Sequence, residues 1–304
     1  MELEIVADGL RFPEGPVSMP DGSVILVEIA AGRITRVRPD GSKETVAEPG
    51  GGPNGLAMGP DGKLYCCNNG GFNYLEHPVG LLIPHGQADD YSGGRIERID
   101  IATGAVETLY KDGDFGCSLR GPNDIVFDGQ GGFWFSDHGK NRPRERDITG
   151  IFYARADGGH MAEVVFPSEN PNGIGLSPDG KSLYAAETYT CRLMKFVVTA
   201  PGVIDQTVGL GGPGIPLHRP AGYKFFDSLA VEAGGNICVA SIGESGISVI
   251  SPEGAPVAFV PTPDPFTTNI AFGGDDMMDA YITLSGTGRL AKVRWPRPGL
   301  KLAY

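Results

Sequence analysis

No run of about 20 consecutive apolar residues occurs in this 304-residue chain, so nothing in it reads as a membrane-spanning helix. Helical periodicity sustained over ten residues is missing as well, which points to an all-β protein. Basic residues are scarce: 25 Lys and Arg stand against 37 Asp and Glu, for a formal charge of −12. With a pI near 4.9, a phosphate-binding surface is unavailable over most of the molecule, and nucleic acid is not an expected partner. The five cysteines, Cys66, Cys67, Cys117, Cys191 and Cys238, are an odd number without CxxC or Cys/His spacing. Four of them sit in or beside apolar runs and read as buried thiols in a reducing compartment. No basic segment followed by an apolar one fits ahead of residue 13, and the expected location is cytoplasmic. A Gly-x-Ser-x-Gly elbow is absent, so a Ser-His-Asp triad is not supported, and Trp-Asp repeat signatures are absent too.

Glycine and proline, 47 and 25 residues, are what the chain has in quantity, and they recur at fixed turn positions. The clearest unit is Gly121 to Gly132, followed by Phe133-Trp134-Phe135-Ser136-Asp137. Its turn chemistry is that of a β-hairpin: a polar lead-in at Pro122-Asn123, a strand over Ile125–Phe127, a turn over Asp128–Gly132 and a returning strand. Five more copies begin at Pro13-Glu14-Gly15, Pro53-Asn54-Gly55, Pro171-Asn172-Gly173, Phe226-Asp227-Ser228 and Thr268-Asn269. Further apolar runs, such as Arg33–Val37 with Glu44–Val46, supply a third and a fourth strand, and Glu4 to Ala7 reads as a strand beside the first hairpin.

Four strands per repeat and six repeats of about 40 to 50 residues predict a single six-bladed β-propeller, four antiparallel strands to a blade, spanning residues 1–304. Two insertions interrupt it, at about 68–92 and 200–221, and are expected to cap one face and wall a site.

If the first strand of each hairpin is innermost, Glu14, Asn54, Asn123, Asn172, Asp227 and Asn269 lie at one end of the central channel. All carry oxygen donors. Carboxylates and amide carbonyls without thiolate or imidazole suit a hard divalent cation better than a tetrahedral zinc. Pro-Asn-Gly is also plain turn chemistry, so Asn54 and Asn172 singly could serve the backbone alone. Glu14 and Asp227 break that pattern, because a charge in a channel is expensive unless paired or metal-bound.

Phe12-Pro13-Glu14-Gly15-Pro16, Gly121-Pro122-Asn123-Asp124, Pro171-Asn172-Gly173-Ile174, Asp227-Ser228-Leu229-Ala230-Val231 and Phe272-Gly273-Gly274 together resemble the regucalcin/gluconolactonase family of the senescence marker protein type. The resemblance implies one divalent ion held by Glu14, Asn172 and Asp227, with Asn123 as a fourth ligand or a substrate contact and Asp227 as general base. Ca²⁺ is the first candidate, ahead of Mg²⁺, Mn²⁺, Zn²⁺ and Fe²⁺. Arg120, Asn54, Asn269 and His138 are candidate substrate contacts, although Arg120 stands three residues before Asn123 where relatives place an Arg two before. His138 occupies Ser136-Asp137-His138, where many relatives read Thr-Asp-Pro. The activity implied is metal-assisted hydrolysis of a cyclic ester, with a small-molecule lactone as partner and the chain a monomer or weak homo-oligomer that does not bind membranes. A phosphotriester hydrolase is the alternative within enzymes, and a non-catalytic binding platform the alternative outside them.

Overall fold

The computed structural model describes residues 1–209 and 212–304. Its strands form six antiparallel blade sheets, each led by one predicted hairpin, and one separate two-stranded sheet. The first strands are Pro13–Ser18, Pro53–Met58, Pro122–Phe127, Pro171–Leu176, Phe225–Val231 and Thr267–Gly273, and they line the channel of a six-bladed propeller. Helical structure among the described residues is limited to two short 3₁₀ turns, Ile29–Ala31 and Asp114–Gly116.

The second strand of each blade is covered on both faces, which is why stretches such as Val24–Glu28, Leu64–Asn68 and Gly132–Asp137 are buried throughout and read as continuous rather than alternating apolar runs. Outermost strands meet water: Lys43–Ala47 and Pro256–Pro261 bury little beyond one residue each. The core is divided into six apolar clusters, one at each junction between neighbouring blades. At the junction of blades 2 and 3, Phe133 and Phe135 are fully buried beside Phe127, with Phe135 stacked on Phe152 at 5.0 Å. Each such ring contributes about 1.5–3 kcal/mol through burial.

One expectation is corrected. Glu4–Ala7 does not join the first hairpin; it pairs antiparallel with Arg289–Arg294 and supplies the fourth strand of blade 6, closing the ring. Within the 68–92 insertion, Phe72–His77 and Leu81–Gln87 form a two-stranded hairpin of their own. The 200–221 insertion lies within the outer edge of blade 4, where Val203–Ile204 and Ile215–His218 pair with different parts of Arg192–Ala200; Leu210 and Gly211, inside it, lie outside the described residues.

Past the last blade, the segment 295–304 crosses the end of the channel opposite the hairpin lead-ins. Trp295 Nε1 and the Arg297 guanidinium donate to the buried Glu232 at 2.5–2.8 Å. Leu300 N donates to Val231 O at 2.8 Å, and the Tyr304 ring packs edge-on against Phe127 at 5.5 Å.

Candidate metal centre in the channel mouth

All six inner strands carry a β-bulge at the same place, just after the lead residue. A bulge re-aims side chains and relaxes the alternation of the strand. It brings two consecutive residues of each blade toward the axis instead of one. The close approach of neighbouring blades explains the Asn-Gly pairs: a Cβ on Gly55 would sit 2.5 Å from Asn123 O, and one on Gly173 would sit 2.5 Å from Leu229 N and 2.7 Å from Asp227 O.

Register identifies the lead residues as Glu14, Asn54, Asn123, Asn172, Asp227 and Thr268. Pairing of Thr267 with Leu284 and of Asn269 with Thr283 puts Thr268, not Asn269, at the sixth lead position. Asn269 stands one residue further in, and its Nδ2 donates to Glu14 Oε2 at 2.7 Å. It therefore orients a carboxylate, and is drawn into the cluster as a support rather than as an equivalent member. The Thr268 hydroxyl engages Thr283 at 2.9 Å and Ser285 at 2.5 Å.

The residue after the lead in blade 3 is Asp124, to which the sequence reading gave no role. Its Oδ1 accepts from Ile125 N at 2.9 Å and its Oδ2 from Ile174 N at 3.3 Å, in the next blade. Glu14, Asp124 and Asp227 thus bring three buried carboxyl groups to one region. Burial raises the pKa of Glu14. Asp124 is pushed up to about 8, first by burial and then by the charge of Glu14. Asp227 rises well above the carboxylate range for the same two reasons, with further repulsion from Asp124. Three buried carboxyl groups, two of them raised by the charge of the third, mark a place where a cation is favoured.

Amide oxygens complete the donor set. Asn123 Oδ1 is buried and has no hydrogen-bond partner, a state that costs about 1–3 kcal/mol unless something occupies the acceptor. Asn172 Nδ2 donates to Thr188 Oγ1 at 3.2 Å, its carbonyl oxygen accepts from Ser228 Oγ at 3.5 Å, and a hydrogen bond from its side chain acts to lower the pKa of Asp227 against the larger effect of burial. Among the described residues no three His, Cys, Asp or Glu side chains close on one point. An ion at this mouth therefore needs the amides as well as the carboxylates, and oxygens alone are what a hard divalent cation takes.

Arg120 and His138, the other two candidate contacts, have neighbours of their own. The Arg120 side chain is half exposed and reaches toward Asp112 at 3.8 Å, while its backbone N–H donates to Asp137 Oδ2 at 2.7 Å. His138 faces Tyr189 at 5.9 Å between ring centres, and its pKa is lowered to about 4 by burial and by the charges of Lys140 and Arg146. His138 is therefore neutral at pH 7, with Nδ1 buried and without a hydrogen-bond partner. Asp137 accepts from the N–H groups of Arg120, Gly121 and Gly139, fixing the backbone that leads to Asn123.

The 72–87 hairpin lies over this mouth. Leu82 N donates to Gly286 O of blade 6, and Gln87 N donates to Asn141 O of blade 3. Lys140, almost wholly buried, donates to Asn69 Oδ1 at 2.8 Å and Gly71 O at 2.9 Å and stands 3.6 Å above the Phe72 ring. Tyr74 packs on Phe12 at 5.4 Å, with its hydroxyl buried and unpartnered.

The family model of the SMP-30/Gluconolactonase/LRE-like region matches residues 12–286. Lactonase drp35 of Staphylococcus haemolyticus is 28% identical over 263 residues, covering 86% of this chain and 72% of the relative. Among solved structures, a gluconolactonase from Xanthomonas campestris superposes with a TM-score of 0.74 at 20% identity, over 97% of this chain and 89% of that one. The calcium-binding protein regucalcin of Agrobacterium tumefaciens gives the same TM-score at 20% identity, over 99% and 98%. At that identity these two likenesses speak for the fold.

Proposed function

Because the chain belongs to the SMP-30/gluconolactonase/LRE-like family, whose curated relatives are named lactonases, we propose that it hydrolyses lactones at a divalent-cation centre in the channel mouth. The observation that carries this reading is the charge coupling of the buried Glu14, Asp124 and Asp227 at the end of the channel where Asn123 Oδ1 is left without a hydrogen-bond partner. Glu14, Asn123, Asn172 and Asp227 would hold the ion, with Ca²⁺ the first choice for so purely oxygen a set. When bound, such an ion supplies Lewis-acid polarisation of an ester carbonyl.

The protein's own residues do the rest. Asp227 is the general base, its carboxylate taking a proton from the water that attacks the lactone carbonyl. Asn269 and Gly15 N–H hold Glu14 in place, and Thr188 holds Asn172, so the mouth is preorganised before substrate arrives. Asn54 and Asn123 carry amide N–H groups at the mouth that can donate to ring or hydroxyl oxygens of a substrate. The 72–87 hairpin limits water above the site.

The test is hydrolysis of a panel of sugar and non-sugar lactones after chelation and after return of Ca²⁺, Mg²⁺, Mn²⁺, Zn²⁺ or Fe²⁺. Metal-restored turnover that Asp227→Asn lowers by about 10²–10⁴-fold, the usual worth of a general base, is expected. Full activity in chelator, or an Asp227→Asn variant as fast as the parent, would overturn the reading.

A further inference from the structure

A cavity of about 590 Å³ opens on the same face, beside the channel mouth, between the top turn of blade 4 and the segment that returns from its outer edge to blade 5. One wall is Tyr189 to Arg192 and the other Arg219 to Tyr223. Both walls are tied to the proposed centre. Thr188, the residue before Tyr189, accepts from Asn172; the second wall runs directly into the strand Phe225–Val231 that carries Asp227. Tyr189 and Tyr223 each pack on Phe225, at 6.3 and 6.4 Å between ring centres.

The charge in this cavity is of one sign. Arg192 is held by the buried Glu187, with Nη2 at 2.6 Å from Oε2, and Arg146, 5.0 Å from the Tyr189 ring, is paired with Glu169 at 3.0 Å. Lys224 is paired with Glu244 at 2.5 Å. Arg219 forms no ion pair among the described residues, and it lines the cavity in a protein whose net charge is −12. Tyr189 is fixed by Asn141, whose Nδ2 donates to its hydroxyl oxygen at 2.5 Å, and this leaves the phenolic proton free to be donated.

We propose that this cavity is the specificity pocket of the lactonase site, and that it selects a lactone bearing an anionic substituent, carboxylate or phosphate. The substituent engages Arg219 while the ring lies against Tyr189 and Tyr223 and the ester carbonyl points to the channel mouth. Arg219 is a specificity residue, not a catalytic one. The assignment rests on the reading of the mouth as a hydrolytic centre, so it needs a measurement that does not depend on turnover.

The kinetic arm compares γ-butyrolactone, its γ-carboxylate and a phosphorylated sugar lactone as substrates for the parent, Arg219→Ala and Arg219→Lys proteins. The preference of kcat/KM for an anionic over the neutral lactone is expected to fall about 10- to 100-fold in Arg219→Ala, the worth of a charge-assisted hydrogen bond, and to return in part in Arg219→Lys. The binding arm titrates tetrahydrofuran carboxylate, and the same ring carrying a phosphate, calorimetrically; these cyclic ethers cannot be hydrolysed. Whichever anion loses more affinity in Arg219→Ala is the substituent the pocket takes. Equal binding of both analogues by parent and variant, or a parent that prefers the neutral lactone, overturns the pocket while leaving the hydrolytic reading standing. Arg219-dependent binding with no lactone turned over leaves the pocket standing and overturns the hydrolytic reading.

Discussion

Glu14→Gln should change sign with the metal. In the folded protein Glu14 Oε2 accepts from Gly15 N at 2.8 Å and from Asn269 Nδ2 at 2.7 Å, and a glutamine carbonyl oxygen can accept both. The substitution therefore removes a charge while leaving the hydrogen bonds in place. That charge is the largest electrostatic influence raising Asp124 and Asp227. Two unit charges 4 Å apart at an effective dielectric of about 20 repel by about 4 kcal/mol, and by half that at about 8 Å. Relief of about 2–4 kcal/mol is expected in chelated protein at pH 9, where Asp124 is ionised, and less at pH 7. A stability change of 1 kcal/mol moves Tm by about 2–4 °C in proteins of 150–250 residues, so Tm of the chelated variant rises by several degrees. With saturating Ca²⁺ at pH 7, where the relief is smaller, the order reverses, because the parent binds the ion more tightly, by about 100-fold or roughly 2.7 kcal/mol. Thermal unfolding with and without chelator, alongside calorimetric Ca²⁺ titration, reads both effects. A variant that is less stable by the same amount in both conditions would refute the idea that these carboxylates are held together for a cation.

The pH dependence of the chelated protein follows from the same groups. A carboxyl whose folded pKa is raised contributes stability that is fully present below its unfolded pKa and lost as pH rises through the folded one. For Asp124 that window runs from 3.8 to about 8. Urea midpoints of chelated protein should therefore fall across this range, and saturating Ca²⁺ should flatten the decline. Lys140→Met should release the hairpin 72–87 from Asn69 and Gly71, seen as faster chymotryptic cleavage at Phe72 or Tyr74 without loss of the fold; unchanged cleavage would remove Lys140 as its anchor. Burial raises the thiols of Cys66, Cys67 and Cys238 well above their ordinary range, and only Cys117 of the five is partly open. A disulfide reagent should thus modify at most one thiol per native chain and all five in denaturant.

The six hairpins were legible because their turn residues and apolar runs are local signals, and local signals survive into the fold. Five of the six lead residues, Glu14, Asn54, Asn123, Asn172 and Asp227, followed once the ring placed one end of every inner strand together. What could not be read depended on register or on distant partners. Thr268 and Asn269 are adjacent and both polar, and only the pairing of Thr267 with Leu284 decides between them. Asp124 received no role in the sequence because the neighbour that donates to its carboxyl, Ile174 N, belongs to another blade. The sequence signal for it was present: it is the one acidic residue at a position where Gly15, Gly55 and Gly173 stand in three other blades. Glu4–Ala7 alternates like any edge strand, and nothing local says that its partner is in blade 6.

That last pairing has a consequence for how the molecule comes into being. Glu4 finds its partner Lys292 roughly 290 residues later, a separation that places ring closure among the slowest kinds of contact to form. As the chain elongates on a ribosome, blades 1 to 5 have their own strands in hand, whereas blade 6 waits with its outer place open and the first strand exposed. Until Arg289–Arg294 emerges, Glu4–Ala7 is an unpaired edge, able to pair with another chain as readily as with its own. The hazard of misassembly is thus concentrated in four residues at the start of the molecule, and it ends when the circle shuts.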